Sequence, residues 1–366
     1  MSLVLASLAF LLAQGDGKVR MKQVTLARPG SLVPSLMIQA RLDPMEPGRL
    51  SPKKFGVGNA RQAWEFPWVM TGFVSGVAAP WELRFRVYSQ DHKEDRDALI
   101  TRMLLTLQQE NLHRLKLDHA VQYNGKIVDV FLCWGGTAGG EQRFDIAEEG
   151  GFQKSVNTIY IYDVNSFTEP MEMAREIAHE YGHASLPAIG GYKEPEDWAN
   201  GYLGEKLFLS WIRQGMEEGR LVPEDVMGVT KELLDKWLAA NVTPLVQTAA
   251  SNFPIQAALA NPSKAGMDRY LGLALFASQV LPDAVFGRSL LLTGSTEAKD
   301  YPQALTLATE EPDSYTVRIP KSLANKPIWL PLGKGKVTGA KILQFRGKWI
   351  QLEAPEGTLN VVNRTS

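Results

Sequence analysis

Hydrophobic and polar positions along the chain predict a β-rich start, a mixed middle and a return to strands at the end. Apolar and polar residues alternate over 19–89 between turns rich in proline and glycine, which is typical of β-strands. Apolar residues at helical spacing predict a helix over about 97–117. Runs of β-branched and aromatic residues predict strands over 127–134 and 157–162, with a glycine-rich turn between them.

The chain after the second of these strands is predicted to be mainly helical. A threonine followed by Glu-Pro predicts the start of a helix over 170–184, which proline and glycine residues then end. A second helix is predicted over 195–214. The segment 222–292 has helical spacing interrupted by prolines, and short strands return after residue 295.

These elements predict an α+β protein with three regions behind a short leader. The leader is residues 1–15, and residues 16–82 are expected to form an N-terminal β region. Residues 83–295 are expected to combine a mixed sheet with helices, and residues 296–366 to form a C-terminal β domain. A chain of 366 residues is long enough for two or three such units.

The leader has the composition of a secretory signal peptide. Residues 3–13 form an unbroken run of eleven small or apolar residues, which is too short to span a bilayer. The triplet Ala13-Gln14-Gly15 then resembles a cleavage site, although no basic residue precedes the run. A buried N-terminal strand or helix is the alternative. We expect a secreted or periplasmic protein with no membrane span after removal of the signal peptide.

Composition narrows the possible partners and metal sites. Lysine and arginine total 39 against 40 acidic residues, so no excess of positive charge is present to bind nucleic acid. Cys133 is the only cysteine, and a metal must therefore be held by histidine and carboxylate. Three of the five histidines show no ligand spacing, and we expect them at the surface. These are His92, His113 and His119.

The strongest chemical signal is an HExxH motif, His179-Glu180-Tyr181-Gly182-His183, on the first predicted helix. Histidines four residues apart project from the same helix face, so both can bind one Zn²⁺. Glu180 lies close enough to that face to take a proton from an activated water and pass it to a leaving amine. The motif predicts one catalytic Zn²⁺ with Glu180 as general base and acid. The alternative is a chance spacing of two unrelated histidines.

The third metal ligand must be an acid, because no histidine follows His183. Glu205 is the preferred candidate because it lies inside the second predicted helix. On the same face of that helix, Gly201 and Gly204 would let the two helices approach closely. The alternatives are Glu194, Glu196 and Asp197. Asp197 could instead orient a ligand histidine through its Nδ1–H.

The strand 157–162, the HExxH helix and the downstream glutamate together resemble the zincin metallopeptidases, specifically the gluzincin branch that includes thermolysin-like enzymes. The resemblance implies a zincin-like catalytic domain over 83–295, with a mixed sheet, the HExxH helix and a helical lower subdomain that supplies the glutamate ligand. It also implies an edge strand that pairs with extended substrate, here through Asn157, Ile159 and Ile161. It further implies an oxyanion-stabilising side chain, for which the candidates are Tyr192, Tyr202 and Tyr270.

The sequence therefore predicts an exported zinc metallopeptidase that acts on peptides or proteins. The alternative is a catalytically inactive zincin scaffold that serves as a secreted binding or structural module. Glu180 favours the enzyme, because a purely structural zinc site needs no general base.

Overall fold

The structure is a computed structural model, and it describes most of the chain after residue 65. The predicted signal peptide, residues 1–15, lies outside the described residues. The described residues are 20–25, 37–44, 66, 68–75, 82–91, 93–123, 125–149, 152–332 and 335–363.

A seven-stranded mixed sheet forms the centre of the molecule. Its strands are β1 (Arg20–Thr25), β2 (Met37–Pro44), β3 (Trp68–Ser75), β4 (Glu82–Ser89), β5 (Val128–Leu132), β6 (Gly139–Glu149) and β7 (Phe152–Tyr162). The spatial order is β1-β2-β3-β4-β5-β7-β6. Strand β5 pairs in parallel with β4 and β7, and every other pairing is antiparallel. The prediction was an α+β protein with a mixed sheet, and the structure contains a mixed sheet together with helices and further β-sheets.

The N-terminal strands do not form a sheet of their own. Strand β3 pairs with β4 from Trp68 opposite Ser89 to Val74 opposite Glu82. The described strands of 16–82 therefore continue the central sheet, and the predicted boundary at residue 82 falls between two paired strands.

The predicted substrate edge strand is an inner strand. Asn157, Ile159 and Ile161 lie in β7, which pairs with β5 on one side and β6 on the other, and all three side chains are buried. Strand β6 is the last strand of the described sheet on this side. Its first two residues fall in the predicted glycine-rich turn, and no element was predicted for the rest of the strand. Its charged residues, such as Arg143, hide the strand pattern, because a polar edge strand carries no continuous apolar run.

Ten α-helices accompany the sheets in the described part of the chain. They are α1 (Glu94–Leu115), α2 (His119–Tyr123), α3 (Pro170–Ser185), α4 (Asn200–Glu217), α5 (Lys231–Asn241), α6 (Thr243–Ser251), α7 (Gln256–Leu259), α8 (Lys264–Val280), α9 (Asp283–Leu292) and α10 (Tyr301–Glu310). Helices α1 and α3 pack against each other and against the sheet, and α4 joins α3 to the remaining helices. None of the helices in the described ranges combines the length and apolar character that a bilayer span requires.

The C-terminal region contains two small antiparallel sheets and a helix. One sheet has the order β10 (Lys336–Thr338), β13 (Gly357–Val362), β8 (Ser314–Ile319), and the other β11 (Lys341–Arg346), β12 (Trp349–Glu353), β9 (Ile328–Pro331). The prediction of an all-β region over 296–366 was wrong, because α10 lies within it. Tyr301, Ala304, Leu305 and Ala308 are buried at helical spacing, which is the signal for α10.

His119 is buried rather than exposed, contrary to expectation. Its Nε2 lies 3.1 Å from the carbonyl oxygen of Lys126, and its Nδ1 lies 3.1 Å from the hydroxyl of Tyr181. Both ring nitrogens are therefore used in the core, beneath the HExxH helix. His113 is half-buried, and His92 lies outside the described residues.

Candidate metal centre

Helix α3 carries the HExxH motif, as predicted. Pro170 occupies the first turn, where its missing N–H leaves no hydrogen bond unmade. The apolar residues Ile177, Tyr181 and Ala184 are buried in the core. His179 and His183 remain partly exposed, because helical spacing directs them away from that packed face.

Small residues let α4 lie directly against α3, as the glycine spacing predicted. A β-carbon on Gly182 would lie 2.9 Å from the Cα of Gly204, which is too close for any larger residue. A β-carbon on Gly201 would lie 2.6 Å from Nε2 of His179 and closer still to Nε2 of His183. Gly201 therefore provides the space in which the two imidazole nitrogens converge.

Three potential ligand groups meet at this point: His179, His183 and Glu196. The Nε2 atoms of the two histidines are 3.2 Å apart. Glu196 Oε2 lies 3.1 Å from Nε2 of His179, and Glu196 Oε1 lies 3.5 Å from Nε2 of His183. Among the described residues, this is the one group of three or more histidine, cysteine or acidic side chains with metal-binding geometry.

The separations within this group suit a small tetrahedral cation. Zinc bonds of about 2.0–2.1 Å at the tetrahedral angle place neighbouring ligand atoms about 3.3 Å apart. The separations of His179 Nε2 from His183 Nε2 and from Glu196 Oε2, 3.2 and 3.1 Å, are close to that value, and the other oxygen of Glu196 lies 3.5 Å from His183 Nε2. Two imidazoles and one carboxylate are also a donor set that catalytic zinc uses, with the fourth position left for water or substrate.

Glu205, the preferred third ligand from the sequence, lies in a different environment. Its Oε1 is 2.6 Å from Nε of Arg175, and its Oε2 is 3.2 Å from Nζ of Lys206. Glu205 is not part of the converging group, and Glu196, one of the alternatives, takes that place.

The difference arises because α4 begins at Asn200 rather than at Pro195. The segment before it is a loop with bends at residues 194, 195 and 197, and its ends meet where Gly190 pairs with Trp198. Two contacts to distant parts of the chain hold this loop: Gly190 also pairs with Glu297, and the N–H of Lys193 donates to the carbonyl of Pro262 at 2.8 Å. The loop residue Glu196 lies over the histidines.

Asn200 orients the second histidine. The Nδ1–H of His183 donates to Oδ1 of Asn200 at 2.9 Å, while Nδ2 of Asn200 is 3.4 Å from the carbonyl oxygens of His183 and Leu186. The proton on Nδ1 leaves the lone pair of Nε2 free for a cation. Asp197, for which this role was one of two alternatives, is exposed and borders the cleft.

Glu180 is buried beside the histidines. Its Oε1 is 4.0 Å from Nε2 of His179, and no hydrogen-bond partner for its Oε2 exists among the described residues. Gly140 of β6 packs against it, since a β-carbon there would lie 2.7 Å from the Glu180 carboxyl carbon. Strand β6 therefore runs directly over the potential general base.

The carboxylates produce a negative potential around the two Nε2 atoms. Burial lowers the pKa of His179, but the hydrogen bond to Glu196 and the charges of nearby glutamates outweigh burial and raise the pKa to about 9. Burial raises the pKa of Glu196, whereas its hydrogen bonds to both histidines bring it down to about 2. Burial also raises the pKa of Glu180, to about 8. Such a site favours a positive charge between the histidines and the carboxylates.

The three candidate tyrosines lie in different places. The ring of Tyr202 meets that of His179 edge to face, with centroids 4.7 Å apart. Tyr192 is buried, and its hydroxyl faces the carbonyl of Leu259 at 3.4 Å. Tyr270 is fully buried against Tyr301. Tyr202 alone of the three is brought to the metal centre.

A cleft of about 490 Å³ opens from the metal centre along β6. Glu180, His183 and Glu196 line its inner end, and Phe144 and Trp198 add exposed aromatic surface. Phe144 contacts Tyr123, whose hydroxyl donates to the carbonyl of Leu186 at the end of α3. The cleft is thus bounded by a sheet edge on one side and the loop of Glu196 on the other.

Sequence reasoning missed Asn200 and β6 as parts of this site. No local spacing marked Glu196 and Asn200 as a pair, because Glu196 lies in the loop before α4 and Asn200 is the first residue of that helix. No family model matches the sequence, and no curated protein matches it significantly.

Proposed function

We propose that this protein is a zinc-dependent peptidase in which His179, His183 and Glu196 hold the metal. The observation that carries the proposal is the convergence of two Nε2 atoms and one carboxylate at 3.1–3.5 Å, beside Glu180. Zn²⁺ in such a site supplies a Lewis acid and makes water nucleophilic near neutral pH.

Glu180 is the general base and acid in this proposal. It lies at the inner wall of the cleft, where its carboxylate can take the proton of the attacking water. The same carboxyl group then gives the proton to the amine that leaves. Gly140 restricts its position, because β6 packs against the Glu180 side chain.

The substrate is proposed to be an extended peptide that lies along β6. No described strand pairs with the outer edge of β6, so its backbone groups are available to a peptide strand. Tyr202 is the proposed stabiliser of the developing oxyanion, because its ring adjoins His179.

Zinc analysis combined with hydrolysis of a diverse peptide library tests the proposal. The wild type is expected to contain one zinc per chain, to lose activity with a chelator and to regain it with Zn²⁺. Glu180→Gln is expected to keep the zinc and to lose about 10²–10⁴-fold in rate. The matched control is Glu172→Gln, an exposed position in the first turn of α3, which is expected to behave like wild type.

A catalytically inactive scaffold with the same metal centre is the competing function. It predicts bound zinc without hydrolysis of any library peptide by the wild type. That result would refute the peptidase while leaving the metal centre in place.

A further inference from the structure

A second cavity, of about 310 Å³, lies one helical turn from His179 along α3. We refer to it as the Arg175 cavity. Its lining includes Arg175, Tyr202, Glu205, Lys206, Lys264 and Asp268. Tyr202 also contacts His179, so one side chain forms a wall of both the cavity and the metal centre.

The Arg175 cavity has an excess of positive charge. Arg175 and Lys206 share a single carboxylate, that of Glu205, at 2.6 and 3.2 Å. Lys264 is paired separately with Asp268 at 2.6 Å. The lining therefore contains three cations and two carboxylates, and two of the cations share the one carboxylate of Glu205.

Arg175 has donors available for an anion. Its Nε is used by Glu205, and within the described ranges no acceptor is hydrogen-bonded to its two terminal nitrogens. The side chain is 44% exposed, and its guanidinium lies 5.5 Å from the ring centre of Trp237. A guanidinium oriented by an ion pair and an aromatic face is suited to bidentate binding of a carboxylate.

The direction of β6 places this cavity on one side of the reacting bond. Gly140 lies against Glu176 and Glu180, whereas Phe144 lies near Tyr123 and thus near the C-terminal end of α3. Antiparallel pairing is the commoner way for strands to pair, and a peptide that pairs with β6 in this way runs from the C-terminal end of α3 towards its N-terminal half. Its carboxyl-terminal part leaves the metal centre on the side of Arg175.

We propose that the Arg175 cavity binds a carboxylate on the C-terminal side of the cleaved bond, an inference that rests on the proposed peptidase function. The carboxylate is either the free C-terminus of the peptide or the side chain of an aspartate or glutamate. The two sources share the same chemistry, and matched peptides distinguish them.

The test measures binding of four peptides by calorimetry to zinc-loaded protein carrying Glu180→Gln, so that turnover does not interfere. The two peptides of the first pair have the same sequence, and one ends in a free carboxylate whereas the other ends in an amide. Both peptides of the second pair end in an amide, and they differ only in having aspartate or asparagine on the C-terminal side of the bond to be cleaved. At least one acidic peptide is expected to bind 10-fold or more tightly than its neutral partner.

Adding Arg175→Gln is expected to reduce that preference to less than about threefold. Arg175→Lys keeps the positive charge beside Glu205, so it is expected to retain part of the preference for acidic peptides. A partial preference in this variant would show that substitution at residue 175 leaves the cavity intact. Arg288→Gln, an exposed arginine paired with Glu311, is the control and is expected to keep the full preference.

Equal affinity within both pairs, no measurable binding of either acidic peptide, or a preference that survives Arg175→Gln would overturn the inference. These results are separable from the proposed function. If the wild type hydrolyses acidic and neutral peptides equally well, the proposed peptidase function stands and the proposed carboxylate site is refuted. If the protein prefers acidic peptides but hydrolyses none, the carboxylate site stands and the peptidase function is refuted.

Discussion

The Nδ1 atom of His183 lies 2.9 Å from Oδ1 of Asn200, so the first residue of α4 orients the second histidine of α3. Asn200 is itself held by the carbonyls at the end of α3. The start of one helix and the end of the other therefore form a single unit around the candidate metal centre.

Asn200→Ala is expected to weaken zinc binding by about 10–100-fold, because His183 loses the partner that fixes its tautomer and ring orientation. Competition with a chromophoric chelator measures the change. Asn241→Ala is the control, since that exposed amide donates to the carbonyl of Trp237 in its own helix. Unchanged zinc affinity in Asn200→Ala would show that the contact does not position the ligand.

Glu196→Gln is expected to change zinc binding, whereas Glu205→Gln is expected to change the stability of the fold. Glu196→Gln should lower zinc affinity strongly, because the carboxylate beside both histidines is lost. Glu205→Gln should leave zinc bound but reduce the free energy of unfolding by about 1–3 kcal/mol, because Arg175 and Lys206 lose the negative charge that they share and one of its two acceptor oxygens.

Zinc titration and denaturant unfolding of both variants measure these effects. Loss of zinc in Glu205→Gln with full binding in Glu196→Gln would restore Glu205 as the third ligand. The half-exposed position of Arg175 keeps the expected destabilisation below that of a fully buried pair.

Gly201→Ala is expected to abolish zinc binding, because the added methyl group would occupy the space where the two Nε2 atoms meet. Gly294→Ala is the matched control, since a β-carbon there meets no atom within 4 Å. Zinc content after purification and the thermal unfolding temperature separate loss of the site from loss of the fold. A Gly201→Ala protein with normal zinc content would contradict the placement of the metal.

His119 is expected to make stability depend on pH. Burial lowers its pKa from 6.5 to about 4, despite the opposing charge of Asp118. The folded state thus binds fewer protons than the unfolded state between these values. The contribution of neutral His119 to the free energy of unfolding is therefore complete above about pH 6.5 and is lost as the pH falls towards 4. The loss over this range amounts to about 3 kcal/mol.

Urea unfolding of wild type and His119→Gln at pH 7.5 and 4.5 measures this contribution. The variant loses hydrogen bonds to Tyr181 and Lys126, so it is expected to be less stable at pH 7.5. The difference between the two proteins should shrink at pH 4.5. A difference that stays constant with pH would exclude His119 as the titrating group.

Local patterns in the sequence predicted the parts of the site that lie on one helix. The HExxH helix was predicted over 170–184 and is Pro170–Ser185 in the structure. The close approach of α4 was predicted from Gly201 and Gly204, because a missing side chain has the same consequence wherever a helix packs. The edge role of β7 and the all-β C-terminal region were wrong, since strand pairing and helix packing depend on distant partners. The described part of the predicted N-terminal β region does form strands, and these pair into the central sheet.

The sequence alone determined that His179 and His183 share one helix face with Glu180 near them, because residues three and four apart in a helix are neighbours. Only the tertiary structure decided which acid joins them. Pairing of Gly190 with Trp198 and Glu297 holds the loop that brings Glu196 to the histidines, whereas Arg175 and Lys206 engage Glu205. The Gly190–Glu297 and Arg175–Glu205 contacts join residues far apart in the chain, and no local spacing records them.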